Sequence, residues 1–441
     1  MAEYFVASAG SDASDGMSGP WQTLSKVASS SFSAGDTIYL NRGDVWRESL
    51  VFPSSGSAGS VITIKPYGSG ADPIICAADI ATGWSKTGGL TITYEISRTL
   101  PANCTAMLWQ DGVRLTSRAN TALVDANPGS FYHDTTGNVL YVSASDSGNP
   151  ESNGKTYEMP ARTFCFKDNG KSYIRVEDVE FSKAYAVDAT YGNVEISGKH
   201  NYFLRCTSRN TRRHAFQFLT GAYRTYADYC TATDVVASFA VSFFQHCVQC
   251  EFRYGTITDS AGYVTIHGSS GAATFMPMLC GAYRCTMSNS SRAADVTPVY
   301  FFEFYSNVSG LIRGCDIAGV TTNNAVYFKE GRVYSFKFIA NICDTSLCHT
   351  DYDWLFLNAT PGVQVLHNLF FGDNNRRTVR AYTGATGTVI VGNVFYATDE
   401  AIDVDAASQA GTLSDRNVFY TMGTRVGRWG GTTYANLGLW Q

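Results

Sequence analysis

One slot returns about once every 25 residues through the last 260 positions of this chain. Reading it segment by segment gives Asp178, Cys206, Cys230, Cys250, Cys285 and Cys315, then Asn341, Asn368, Asn393 and Asn417. The steps between them are 28, 24, 20, 35, 30, 26, 27, 25 and 24 residues. Short β-rich runs repeating at that length, without helical periodicity, define a solenoid in which each coil buries its apolar face on its neighbours. Stacked coils bring equivalent positions into straight rows, so spacing in sequence becomes proximity in space.

The rest of the chain is organised around that body. Residues 1–80 read as an N-terminal cap and the first coils. Residues 21–27 have the apolar spacing of one short helix, and 35–40 and 61–67 read as strands. A helix over the open end shields the first coil's unpaired backbone edge. Residues 81–165 break the repeat with alternating runs (90–96 and 139–144) and a turn-rich stretch (145–154), a β-rich excursion packed on the solenoid. The main body is 166–441, with regular coils to about 425. With 26 Tyr, 26 Phe and 41 Gly but only 16% charged residues, the composition fits an all-β chain with many turns and a large core.

Net charge is −5, so no global basic field points to nucleic acid. No run of 18 apolar residues exists to span a membrane. The chain reaches fold-like sequence by Tyr4 without an apolar leader. Either a leader has been removed, or the protein is made without one, as a virion protein would be. An extracellular, secreted protein is the expectation, with a virion-associated one as the alternative. Of the 12 cysteines, five fall in the repeating slot, where stacked thiols act as small apolar fillers, so mostly free cysteines are expected. His246, Cys247 and Cys250 are read as filler too, because one CxxC without a second pair is a weak metal or redox signal.

The opening residues 4–16, the run 35–47 and the strand 61–70 resemble bacterial parallel β-helix proteins of the pectate-lyase-like superfamily. Residues 129–134 and the closing stretch 429–441 are similar to segments of the same group, and the Asn slot resembles its stacked asparagine ladder. The resemblance implies a single right-handed parallel β-helix. It implies no one activity, because the group mixes polysaccharide lyases, glycoside hydrolases, epimerases and phage tailspikes.

Alternation along the strand before each slot separates inside from outside. With Val264, Ile266, Val326, Phe328, Leu355, Leu357, Val379, Ala381, Ile402 and Val404 inward, the outward residues include His267, Phe301, Glu303, Tyr327, Lys329 and Asn358. Further along they are Arg380, Tyr382, Asp403 and Asp405. Glu303 lies 12 residues before Cys315 and Lys329 lies 12 before Asn341, which predicts that Glu303 and Lys329 stack in register. Aromatic faces beside polar groups suit sugar rings, so Tyr327, Phe301, Asn358, Tyr382, Asp403 and Asp405 are candidate substrate contacts. The basic clusters Arg212-Arg213 and Arg376-Arg377 precede strands of the same face. Loop arginines are ordinarily solvated, but Arg213 in the groove would favour an acidic glycan.

Two chemistries compete for that groove. A lyase acting on a uronate needs a base, a proton donor and a carboxylate clamp. Lys329 as base or donor, Arg380 as carboxylate partner, and Glu303 and His267 in support meet that need. Residues 328–330, with Asn341 beyond them, look like the Lys-bearing strand of alginate-lyase and chondroitinase-B-like enzymes. That family's paired acidic calcium ligands are missing, since Ala325 and Tyr327 stand there, so calcium is conceivable but no cofactor or metal is predicted. An inverting hydrolase needs two carboxylates about 6.5–9.5 Å apart, and Asp403 with Asp405 on one strand is the candidate pair. Asp351 and Asp353 read as turn caps. A non-catalytic glycan binder, such as a tailspike-like protein, is the third reading. A polysaccharide is the expected partner; the oligomeric state stays open, a trimer fitting a virion spike.

Overall fold

The computed structural model describes residues 1–100, 104, 106–185, 192–244, 246–267, 280–288, 302–305, 309–318, 326–329, 336–346, 353–372, 377–398, 400–421 and 425–436. Three long parallel sheets run the length of the chain. Sheet I has 13 strands from Glu3–Val6 to Leu413–Asp415, and sheet II has 12 from Val45–Trp46 to Val418–Thr421. Sheet III has 13, from Leu50–Val51 to Thr432–Tyr434. Each coil contributes one strand to each sheet in turn, and every pairing between coils is parallel until the last strand. There Gly427–Trp429 and Thr432–Tyr434 pair antiparallel and close the C-terminal edge of sheet III. This is a parallel β-helix.

The inside is one continuous apolar column. All ten residues assigned inward from alternation, Val264 to Val404, are fully buried in it. At the N-terminal end the helix Leu24–Ser29 starts three residues later than its spacing predicts. Thr23 caps it, Oγ1 accepting from the Lys26 N–H at 3.1 Å. Leu24 and Val27 then pack with Val6, Phe32 and Phe52 over the first coil. Trp21, expected in the helix, instead bridges to Val6.

The turn from sheet I to sheet II defines the true repeating slot, and it corrects two members of the sequence-derived one. A continuous backbone ladder runs through it: Thr231 N to Cys206 O at 2.9 Å, Thr256 N to Cys230 O at 2.9 Å and Thr286 N to Gly255 O at 3.0 Å. Thr207 N likewise bonds Val179 O at 3.0 Å. The slot is therefore Val179, Cys206, Cys230, Gly255, Cys285 and Cys315, followed by the four asparagines. Asp178 and Cys250 do not belong. With Val179 and Gly255 in place, the irregular steps of 20 and 35 become 25 and 30. Glycine is required there: a Cβ on Gly255 would lie 2.3 Å from the Phe252 ring and 2.6 Å from Cys230 O. Cys250 sits before its sheet I strand instead, its N–H 3.4 Å from the Cys280 sulphur, which lies 3.5 Å from that of Cys247.

Side chains in the slot repeat one bonding pattern with two chemistries. The Asn368 Oδ1 accepts from the Asn341 N–H and Nδ2 at 2.9 and 3.0 Å. Its Nδ2 donates to Phe338 O and Asn393 Oδ1, both at 2.9 Å. In the cysteine half, the Cys206 and Cys230 thiols point at Val176 O and Phe203 O, at 3.5 and 3.6 Å, and the Cys206 N–H meets the Cys230 sulphur. Burial pushes the Cys230 and Cys315 thiols well up, so they stay protonated and donate. All the cysteines in described positions are free.

Between Ala78 and Pro160 the chain leaves the coils and builds two small sheets of four and five strands. They share a second apolar core around Trp84, Trp109, Leu140 and Met159. Glu158 anchors this module to the solenoid by accepting from Arg47 at 2.7 Å and from Lys183.

Asn368→Ala should lower stability by about 3 kcal/mol, because it leaves several buried backbone and amide groups without partners. Asn368→Cys should lose clearly less, since a thiol serves the same carbonyl in the earlier coils. Denaturation midpoints of the two variants check this; equal losses would show that the thiol does not replace the amide.

Candidate functional site

Strand pairing fixes a single file along the outer face of sheet III. Through Cα partners it runs Lys167, Glu195, Gln217, Ser242, Thr265 and Glu303. It continues with Tyr327, Phe356, Arg380, Asp403 and Arg428. A second file two residues further along each strand holds His267, Tyr305 and Lys329, then Asn358 and Tyr382.

This register corrects the predicted stacking of Glu303 on Lys329. Glu303 pairs with Tyr327, and Lys329 pairs with Tyr305. The equal count of 12 to the slot misleads because the connection from sheet III to sheet I is longer after Lys329. Tyr305 precedes Leu311 by six residues, whereas Lys329 precedes its partner Lys337 by eight. Arg380 thus shares a file with Glu303, and Lys329 with His267. Lys329 and Arg380 lie two strands and two residues apart, about 12 Å between backbones. Phe301 falls outside the described residues. Arg213 lies in the bend before His214–Phe218, four coils from Tyr327, and contributes nothing near it.

The face divides in two. In the earlier coils Glu195, Gln217, Ser242 and Thr265 are polar, point away from the core and are nonetheless buried. In the later coils the face opens, and aromatic rings line it. Tyr327 and Phe356 stack with centroids 5.9 Å apart, and Phe356 meets Tyr382 at 6.1 Å. Tyr382 is 39% exposed. The Arg380 guanidinium lies over the Tyr382 ring at 4.1 Å and the Phe356 ring at 5.5 Å.

Beside the rings stands a buried ionic network that sequence reasoning missed. Arg377, read as a solvated loop residue, is the first residue of the strand Arg377–Tyr382 and is buried. Its Nη1 is 3.0 Å from Asp353 Oδ1 and its Nε 2.9 Å from Asp403 Oδ2. Arg380 joins the same two carboxylates, Nη1 to Asp353 at 3.2 Å and Nε to Asp403 at 3.4 Å. Asp353 is therefore a buried ion-pair partner, not a turn cap. Glu400 is fully buried and takes Arg428 at 3.0 Å and Arg425 at 3.3 Å. Burial pushes its carboxyl up against the pull of those guanidiniums. The signal was present in sequence as charged residues flanking strand starts, but only stacking brings them together.

The predicted pair Asp403 and Asp405 is split between two structural tasks. Asp403 is buried in the network. Asp405 caps the short 3-10 turn Ala406–Ser408, accepting from the Ser408 and Thr383 N–H groups at 2.8 Å each. Among the described residues, no cluster of three His, Cys, Asp or Glu converges as metal ligands. No described helix is long and apolar enough to cross a membrane.

No family model and no curated protein matches the chain. Solved structures do match its fold. A structure titled glycoside hydrolase aligns at TM-score 0.56 and 11% identity, over 95% of this chain and 96% of that one. A complex of XylC with xylose aligns at 0.53 and 15% identity, covering 93% and 67%. PfbA, a surface adhesin of Streptococcus pneumoniae, aligns at 0.52 and 10%, covering 90% and 85%. At these identities the likeness establishes the parallel β-helix.

Arg377→Ala should destabilise the protein by roughly 1–3 kcal/mol, because two buried carboxylates lose their shortest guanidinium contacts and keep only those to Arg380 and Arg428. Arg377→Ala combined with Asp353→Ala and Asp403→Ala should cost less than the single change. Thermal melts of both variants decide it; a harmless single substitution would mean that the network carries no stability.

Proposed function

We propose that the protein is a carbohydrate-active enzyme of the extracellular space that cleaves a uronate-containing polysaccharide along the open half of sheet III. The row Tyr327, Phe356 and Tyr382, with the Arg380 guanidinium laid across it, carries this reading. Ring faces take the apolar side of sugars, and a guanidinium takes their carboxylates. The reaction is β-elimination. Lys329, in the file beside the rings, removes the C5 proton; the C4–O4 bond breaks as the C4–C5 double bond forms, and the departing oxygen takes a proton. Arg380 offsets the negative charge that develops on the uronate carboxylate, using the N–H groups that Asp353 and Asp403 leave free. Glu303, three strands from Arg380 in one file, and His267, two strands from Lys329 in the other, complete the set as supporting acid–base groups along the substrate chain.

Hydrolysis is the second reading, favoured by Asp353 and Asp403 on either side of Arg377 and by the neighbour titled glycoside hydrolase. Both carboxylates are already bonded to guanidiniums, which leaves neither as an acid free to protonate a leaving group. Elimination therefore accounts better for the site.

Incubation with acidic and neutral polysaccharides separates the readings. Absorbance near 235 nm should rise with a uronate polymer, Lys329→Ala should lose it by at least about 100-fold, and Tyr382→Ala should mainly raise KM. New reducing ends without that absorbance would make it a hydrolase, and binding without either product would make it a lectin-like protein.

A further inference from the structure

A second surface, on sheet I, has its own chemistry. Tyr226 and Glu251 are Cα partners on adjacent strands of its outer face. Arg224 and Gln249 stand two residues before each of them and are joined Nε to Oε1 at 2.8 Å. These four side chains line a surface cavity of about 420 Å³. On the next strand the partner of Glu251 is Gly281, which puts no side chain of its own beside the cavity.

The file alongside supplies further cations. Arg253 lies 3.9 Å over the Tyr226 ring and is paired to Asp228 through two bonds of 2.7 Å. Arg313, two strands on, lies 4.5 Å over Tyr283. Arg224 and Arg313 are exposed, and neither has a carboxylate at ion-pair distance among the described residues. Glu251 is half-buried, 3.7 Å from Arg253. In a chain of net charge −5, this is a locally cationic, aromatic-floored depression.

We propose that this sheet I cavity is a non-catalytic binding site for one acidic sugar unit, anchoring a polyuronate chain on a wall separate from the sheet III groove. The space beside Gly281 admits a pyranose ring, Gln249 and Glu251 bond its hydroxyls and Arg224 meets its carboxylate, while Arg313, three strands from Tyr226, meets the carboxylate of a following unit. The choice of an acidic glycan rests on these two exposed guanidiniums, which have no carboxylate at ion-pair distance among the described residues. The site itself does not require that the sheet III groove be a lyase.

Affinity electrophoresis in native gels containing polygalacturonate, or the neutral polymer dextran, tests it. The intact protein should be retarded by polygalacturonate alone. The double variant Arg224→Gln, Arg313→Gln should reduce that retardation about five-fold, as expected for two exposed charge contacts, and Tyr226→Ala should act in the same direction. Tyr382→Ala measures the share due to the groove, and product release from a short soluble oligouronate should be unaltered in the sheet I variants. Unchanged retardation of the double variant, equal retardation by dextran, or a matching loss of binding to a fluorescent oligo-dT without any effect on polygalacturonate would each overturn the proposal. If no polymer is cleaved yet the retardation still falls with Arg224 and Arg313, the lyase reading fails and this site stands. Far-UV circular dichroism and melting temperature confirm that the variants fold.

Discussion

Everything in this molecule depends on the ladder at the turn between sheets I and II. Each coil must satisfy the polar groups of a sharp, buried corner, where the backbone repeatedly enters the left-handed region, as at Arg205, Tyr229 and Ala340 (φ 53, 55 and 54). A buried corner of this kind is costly unless its N–H and C=O groups are paired. Except at Val179 and Gly255, the slot supplies one small side chain that donates to a carbonyl of one coil and accepts an N–H. Asparagine does this with an amide and cysteine with a thiol. The same geometry then holds all three sheets in parallel register.

That rigid stack makes the outer faces usable. On sheet III it lays Tyr327, Phe356 and Tyr382 into a row and draws Asp353, Arg377, Arg380, Glu400 and Asp403 into one network, although 50 positions separate Asp353 from Asp403. Burying so many charges is tolerable because each carboxylate faces at least two guanidiniums. Arg380 belongs to both assemblies. Its charge is held in place by the acids, and its flat face lies against the rings, which fixes a cation beside a sugar-sized platform.

The sequence-level reading succeeded where the physics is local and failed where it is not. The inward residues from Val264 to Val404 were assigned correctly because side-chain alternation has a period of two and needs no knowledge of neighbours. The stacked cysteines and asparagines were visible because their type recurs. Gly255 was overlooked because a residue chosen for having no side chain does not resemble Cys230 or Cys285, and the nearby Cys250 offered a false substitute. Arg377 was misjudged for a related reason, since its burial comes from partners on neighbouring coils.

Sequence by itself determined that the chain stacks coils, which sheet-face each residue of a strand occupies, and that one face concentrates aromatics and charge. Only the tertiary structure decided which of those residues are neighbours. A two-residue difference in one sheet III to sheet I connection moved Lys329 out of line with Glu303 and into line with His267 and Tyr305. Parity survives such a change because two is the strand period, whereas register is the sum of turn lengths, and the turns differ from coil to coil.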